Sequence, residues 1–387
     1  MVKVSIILPI YNVENYLEKS LDSAVNQSFE DIEIICINDG STDNSSRIPD
    51  DFAKNDSRII ILNQENEGVS VARNKALSKC KGDYVYFMDA DDYMTYDAIE
   101  KLYNNAISNK SDIVVLRSKS FNDENPEGKP SKLLNLERVF KNVDFNNFTF
   151  THRDIKRYIL NNYYAPWSKF FSKEFLDMHE EIEFPPNLPY NDIPVHVKSL
   201  LLASKISFVP DYLYYYRKDN PSSITHSTSK HINIFKIIEI VENFLIEKEF
   251  MNEYKNEFDL FKLNLISRHF VFPVTEEYYN LAKTEFSRMD LSDNPLIKPQ
   301  HRIKYDIILD SSEEDLDSME SQIEIKKLEN RITKLKQKNQ KLTLKNQELT
   351  EKNKKLKREL KSTQDINNQL KNSKSWKITK PLRSIRK

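Results

Sequence analysis

The sequence predicts an α/β fold with a mostly parallel sheet, followed by a helical region and a long C-terminal coiled-coil helix. Three observations carry this. Within residues 1–115, short apolar runs rich in β-branched residues (4–8, 32–37, 59–62, 84–88 and 113–116) alternate with segments of helical spacing. Such alternation builds parallel sheets with right-handed crossovers. Gly40, Gly68 and Gly82, three of only four glycines, fall between those segments, where the chain must turn. Further on, residues 325–370 repeat every seven, with Leu at one core position and Ile, Asn or Leu at the other.

Taken in order, "MVKVSIILPIYN" reads as a first strand. A tyrosine and an asparagine end its apolar run, and no small-residue cleavage site follows. The next segment places Leu17, Leu21 and Ala24 on one helix face, with Asn12 positioned to cap it. "PIYN" (9–12), "NDGSTD" (38–43) and "DADD" (89–92) each follow a strand directly. In a parallel sheet, ligands bind beyond the strand carboxyl ends, so these stretches converge on one rim. Residues 116–150 turn polar and asparagine-rich and read as a linker or loop region. Residues 151–226 hold an aromatic cluster and a helix over 193–205. Residues 230–285 are helical, with an apolar stripe at Ile234, Ile237, Ile238, Val241 and Leu245.

At the C-terminus, Leu328, Leu335, Leu342, Leu349, Leu356 and Leu370 share one heptad position, interrupted only by Thr363. The other core position includes Asn339, Asn346, Asn353 and Asn367, which weaken the seam and favour in-register pairing, so a parallel homodimer is expected. The divisions expected are 1–115 (first half of the α/β domain), 116–226 (its second half), 227–320 (helical extension), 321–371 (coiled coil) and 372–387 (basic tail).

The net charge of −1 conceals an asymmetry. Residues 321–387 hold 21 Lys and Arg against 6 Asp and Glu, leaving 37 basic and 53 acidic residues elsewhere. An acidic body with no recognition motif argues against nucleic acid as a partner. The tail "NSKSWKITKPLRSIRK" (372–387) joins Trp376 and Ile378 to many basic residues. It suits an anionic membrane surface, and equally a solvated end or an electrostatic partner for the body. Cys36 and Cys80 lie in or beside apolar segments with no paired spacing, as buried thiols in a reducing compartment do. No apolar stretch approaches the ~20 residues that span a bilayer. The expected location is therefore the cytoplasm, with any contact at the inner membrane face peripheral.

The chemistry centres on "FMDADDYM" (87–94), which sets Asp89, Asp91 and Asp92 within four positions. Crowded carboxylates repel unless a cation neutralises them, and Mg²⁺ or Mn²⁺ takes one or two carboxylates plus phosphate oxygens. The competing reading is that Asp91 or Asp92 caps a helix starting near Tyr93. An EF-hand is excluded, since Tyr93 would occupy the fifth ligand position and no glycine follows. Neither GxxxxGK[ST] nor GxGxxG is present, so a bound nucleotide would have its diphosphate held by metal and by Arg or Lys, with Arg73 the natural candidate.

Together, "VSIILPIYNVENYLEKSLDSAVNQSF", "CINDGSTDNS", "NEGVSVARNKAL" and "GDYVYFMDADD", in this order and at these intervals, closely resemble the N-terminal half of family 2 glycosyltransferases of the GT-A fold, a Rossmann-like α/β/α sandwich. The resemblance covers residues 3–115 closely and 160–225 more loosely. It implies that Pro9, Tyr11 and Asp39 line the base and ribose pocket, with Glu14 in the same motif or capping a helix. Arg73 would approach the diphosphate, Asp89 would sit near the ribose or donor sugar, and Asp91 would bind the divalent metal, Mn²⁺ or Mg²⁺, with Asp89 and Asp92 in support. The family's acidic pair before its catalytic base appears here as "YNDIPVH", so Asp192 keeps the base position while Asn191 replaces the glutamate. Asp192 could instead cap the following helix. Trp167 in "APWSKFF" would stack on a sugar or fill the core. Arg217 and His226 could reach phosphate, Tyr214–Tyr216 reads as packing, and His196 as an ordinary helical histidine.

The reading that results is an inverting transfer of a sugar from a nucleotide-diphosphate donor, a UDP-sugar by resemblance, to a glycan or lipid-linked acceptor. A nucleotidyltransferase, or a non-catalytic scaffold on a dimerising coiled coil, stands as the alternative.

Overall fold

The computed structural model describes residues 1–131, 136–161, 165–221 and 228–374. Contacts divide the chain into Met1–Glu313 and Glu314–Lys387. In the first unit the strands are β1 (Val4–Ile10), β2 (Ile32–Asp39), β3 (Ile59–Gln64), β4 (Tyr84–Phe87), β5 (Tyr93–Met94), β6 (Ile113–Asn122), β7 (Asn125–Pro130), β8 (Lys169–Ser172) and β9 (Ile206–Arg217). Helices α1 (Leu17–Val25), α2 (Ile48–Ala53), α3 (Val69–Leu77) and α4 (Ala98–Asn109) connect the first strands. Short helices α5 (Leu136–Val139), α6 (Lys156–Ile159) and α7 (Lys173–Met178) lead to α8 (Asp192–Leu202). Then come α9 (Ile234–Glu247), α10 (Met251–His269), α11 (Glu276–Ser287) and α12 (Pro299–Asp310).

The sheet runs β3-β2-β1-β4-β8-β6-β9-β5, with β7 hydrogen-bonded to β6. Strands β3, β2, β1 and β4 are mutually parallel, as the alternating pattern requires. β8 is inserted antiparallel between β4 and β6, and β6 and β9 are again parallel. The sheet is therefore continuous across residue 115. β1 and β2 are apolar nearly throughout because helices cover both faces, and they are buried along almost their whole length.

Two expectations are corrected here. Residues 116–130 form a long strand and a hairpin. The polar turn is closed by Asn122 Oδ1, which accepts from the Asn125 amide at 2.9 Å, and by Asp219, which accepts from the Asp123 amide. Asn12 does not cap α1. It lies in the left-handed region (φ 49°), and its side-chain oxygen accepts from the Thr42 amide at 2.8 Å, tying the loop after β1 to the loop after β2.

The helical region is as read from the sequence. Ile234, Ile237, Ile238, Val241 and Leu245 of α9 are all buried, where the helix packs on α8 and α10. In the second unit, α13 (Leu316–Asn372) is one helix of 57 residues. The basic tail, with Trp376 and Ile378, lies outside the described residues, as does His226. Among the described residues, no helix is long and apolar enough to cross a membrane.

Candidate active site

The rim forms because β1, β2 and β4 are adjacent and parallel, so the loops after their carboxyl ends meet. Asp39 ends β2 and is buried. Its Oδ1 accepts from Gln64 Nε2 at 2.8 Å and from the Glu67 amide at 2.9 Å, and Oδ2 accepts from the Gly68 amide at 3.0 Å. Gly40 follows at φ 71°, where an added Cβ would sit 2.8 Å from the Asn66 amide nitrogen. Only glycine permits that close approach, which brings loop 65–68 onto Asp39. Asp39 thus fixes the entrance to α3, and its Oδ2 retains acceptor capacity for a ligand. Tyr11 stands on the same rim, 46% exposed, beside Pro9 at the end of β1.

Glu14 is used otherwise than the resemblance implied. Its Oε2 accepts from the Asn44 amide and side chain at 2.9 and 2.8 Å, while its own amide donates to Asp43 Oδ2. The carboxylate fastens the loop after β2 instead of facing a nucleotide. Asp43 caps the short helical turn 44–46 by accepting from the Ser45 amide.

The three carboxylates after β4 have three distinct environments. Asp89 Oδ1 pairs with Arg73 Nη2 at 2.6 Å, and the Asp89 amide donates to the Tyr214 hydroxyl. Asp91 Oδ2 accepts from Asn220 Nδ2 at 2.7 Å. Burial and then the Asp89 charge push the Asp91 carboxyl above its ordinary range. Asp92 is 1% exposed, with Oδ2 accepting from the Tyr214 hydroxyl at 2.6 Å and Oδ1 from the Arg217 amide at 2.7 Å. Both of its oxygens face inward, which corrects its assignment to a metal. Burial and the neighbouring Asp91 and Asp89 charges raise its pKa well above the ordinary carboxylate value. Helix capping is also excluded for this stretch, because Tyr93 and Met94 pair with β9 and the next helix starts only at Ala98.

Arg73 is 6% exposed and lies over the Phe184 ring, so the diphosphate-facing arginine expected there is instead the buried partner of Asp89. Its Nε is buried without a hydrogen-bond partner among the described residues. Arg217 is likewise committed. Nη1 pairs with Asp123 and Asp219 at 2.7 and 2.9 Å, Nε donates to the Asp91 carbonyl, and the guanidinium lies over Tyr16 and Phe121. It clamps the acidic stretch and does not reach for phosphate.

Asp192 opens α8 with no capping bond there, since Asn191 points its Nδ2 to the Leu188 carbonyl. Burial raises the Asp192 pKa; the charges of Arg73 and Lys169 act against that rise, and Asp89 acts with it. Burial therefore supplies the upward push that a glutamate at position 191 would have given by repulsion.

Trp167 is corrected. It is 4% exposed and stacks on Tyr214 at 4.5 Å and Tyr216 at 5.5 Å, so it belongs to the core. Two residues beyond it, Lys169 was passed over in the sequence. It is 2% exposed, with Nζ donating to the Ala165 carbonyl at 3.1 Å and Ser168 Oγ at 3.2 Å, and burial lowers its pKa to about 7. A lysine alternating with aromatic residues in a strand was the available signal. Tyr214 and Asn220 were also missed as partners of the acidic stretch, and nothing local in the sequence marks them. His196, one turn after Asp192, is held neutral by burial and by Lys169.

An acidic stretch beyond the carboxyl ends of parallel strands, with a half-buried carboxylate at the start of α8, is an α/β domain with its polar loops where such sheets bind ligands. The comparisons agree. Residues 5–178 match the family description "Glycosyl transferase family 2". Glycosyltransferase GlyA of Streptococcus pneumoniae is 36% identical over 219 residues, 56% of this chain and 30% of that protein. The uncharacterized glycosyltransferase EpsJ of Bacillus subtilis is 33% identical over 57% of this chain and 62% of its own length. Glycosyltransferase GlyG of Streptococcus pneumoniae is 31% identical, over 57% of this chain and 72% of its own. The chain belongs to glycosyltransferase family 2. It spans under two thirds of the length of GlyA and of EpsJ. In fold it is similar to S. aureus TarS 1–349 in complex with UDP-GlcNAc, with a TM-score of 0.63 and 22% identity over 84% of this chain and 91% of that one.

Proposed function

We propose that this chain transfers a sugar from a UDP-sugar to a hydroxyl of a glycan or lipid-linked acceptor, with inversion at the anomeric carbon. What supports this reading is the set Asp39, Asp89 and Asp91 beyond the strand ends, with Asp192, half-buried at the start of α8, feeling the charges of Arg73 and Asp89 and raised in pKa by desolvation. Asp192 takes the acceptor proton as the hydroxyl attacks from the face opposite the diphosphate. A base needs a pKa nearer the working pH than an exposed carboxylate has, and burial moves Asp192 that way.

The rim also fits a divalent ion. Asp89 Oδ1 is bonded to Arg73 and Asp91 Oδ2 to Asn220, so the second oxygen of each carboxylate would be the one to meet an ion. Among the described residues, no cluster of three or more His, Cys, Asp or Glu could hold a metal by protein groups alone. The ion proposed here is Mg²⁺ or Mn²⁺ shared between one or two carboxylates and a diphosphate. Asp91 would hold such an ion with Asp89 beside it, and the ion would stabilise charge on the departing UDP. The chain would work in the cytoplasm, with its basic tail at the inner membrane face.

The test is UDP release from a panel of UDP-sugars with Mn²⁺ and candidate acceptors. Release from one donor supports the reading. Absence of both release and UDP binding across the panel removes it.

A further inference from the structure

Along α13 the heptad Leu and Ile side chains are exposed within the single chain, from 48% at Leu342 to 60% at Leu360. A solvated helix has no use for an apolar residue at every seventh position, so this seam needs a partner strand. Asn339, Asn346, Asn353 and Asn367 decide its direction. In a parallel, in-register pair each faces an equivalent position and the amides bond across the seam, whereas in an antiparallel pair each would face the Leu row.

The flanks decide its identity. In a parallel pair, the residue before each first core position faces the residue after the second core position of the opposite strand. Two copies of α13 would thereby oppose Glu324 to Glu329, Arg331 to Lys336 and Lys352 to Lys357. The remaining complete pairs, Lys338 with Thr343, Lys345 with Thr350, Glu359 with Gln364 and Ile366 with Lys371, supply no opposite charge either. Residues 331–361 carry 12 Lys and Arg against 3 Glu, and Glu324, Glu329, Glu351 and Glu359 already pair with lysines of their own helix. Like charges at these flanking sites are how coiled coils reject a wrong partner.

We propose that α13 pairs, parallel and in register, with an acidic heptad helix of a different chain, one bearing Asn in its core and Glu or Asp at its flanks. The homodimer expected from the register alone gives way to this, because the seam is self-complementary and its borders are not. The inference is independent of the glycosyl-transfer reading.

The test uses the full chain and a synthetic helix that copies the core residues of 321–371 but carries Glu at its flanking positions, with Lys where these face Glu324, Glu329 and Glu359. Sedimentation at micromolar concentration and low salt should find the chain monomeric. The acidic helix should form a 1:1 complex that weakens at least tenfold in high salt, since screening acts on those borders. The variant Glu329→Lys/Arg331→Glu/Lys352→Glu turns the three opposed pairs into attractive ones and should dimerise without the peptide. A native chain that dimerises at low salt, whether or not salt dissolves the dimer, overturns the proposal. So does failure of the acidic helix to bind.

Discussion

The sheet rim and α13 solve opposite problems. At the rim, charged groups are withdrawn from water and find partners inside the same unit: Asp92 with Tyr214 and the Arg217 amide, Arg73 with Asp89, Arg217 with Asp123 and Asp219. Along α13 the apolar groups are the ones without cover. Buried polar groups are costly unless bonded, and exposed apolar rows are costly unless covered. The charged groups named here find partners within the first unit, while the heptad row of the second is the face for which a partner helix is proposed.

The largest effect that tests this contrast is at Asp192. Asp192→Asn keeps the size and removes the base, so turnover should fall by ~10²–10⁴ with UDP affinity unchanged. Turnover at the wild-type rate would assign the proton transfer elsewhere. Next comes Tyr214→Phe, which strips the hydroxyl from buried Asp92 and from the Asp89 amide. Unfolding in urea should show a loss of about 1–3 kcal/mol. No loss would mean that the acidic stretch holds its shape without β9.

Lys169 gives a pH signature with a defined sign. Its ordinary pKa of 10.5 falls to about 7 on burial, so between those values the unfolded chain binds a proton that the folded chain does not. This group's contribution to stability then rises with pH from about 7 towards 10.5. Thermal melts of the wild type against Lys169→Met should diverge across that window, and parallel curves would contradict a neutral buried lysine. The smallest effect belongs to α13. Ending the chain after Asn330 removes most of the seam and should leave the first unit's unfolding free energy within about 0.5 kcal/mol.

The same contrast explains what the sequence could tell. Val4–Ile10 and Ile32–Asp39 were legible because strands buried on both faces read as unbroken apolar runs, and α9 because its stripe recurs at helical spacing. The heptads were legible because their period is long and regular. Illegible were the partners supplied from far along the chain. Asp92 looks like Asp91 in sequence, and Tyr214 and the Arg217 amide, 122 and 125 residues away, make it an internal anchor. Arg73 read as ligand-facing, and Trp167 as either sugar-facing or core, because side-chain type does not report burial. The hairpin at 116–130 was hidden by its own polarity, since a strand at the sheet margin needs no apolar alternation when its bonds are satisfied by β6.

The claim on which the site depends is that Asp91 and its neighbours bind a metal–diphosphate unit. Titration calorimetry of UDP, with Mn²⁺ and with chelator, on the wild type and on Asp91→Ala tests it directly. The account predicts Mn²⁺-dependent UDP binding that disappears in Asp91→Ala while the melting temperature is retained. UDP binding of equal strength with chelator and in the variant would contradict it.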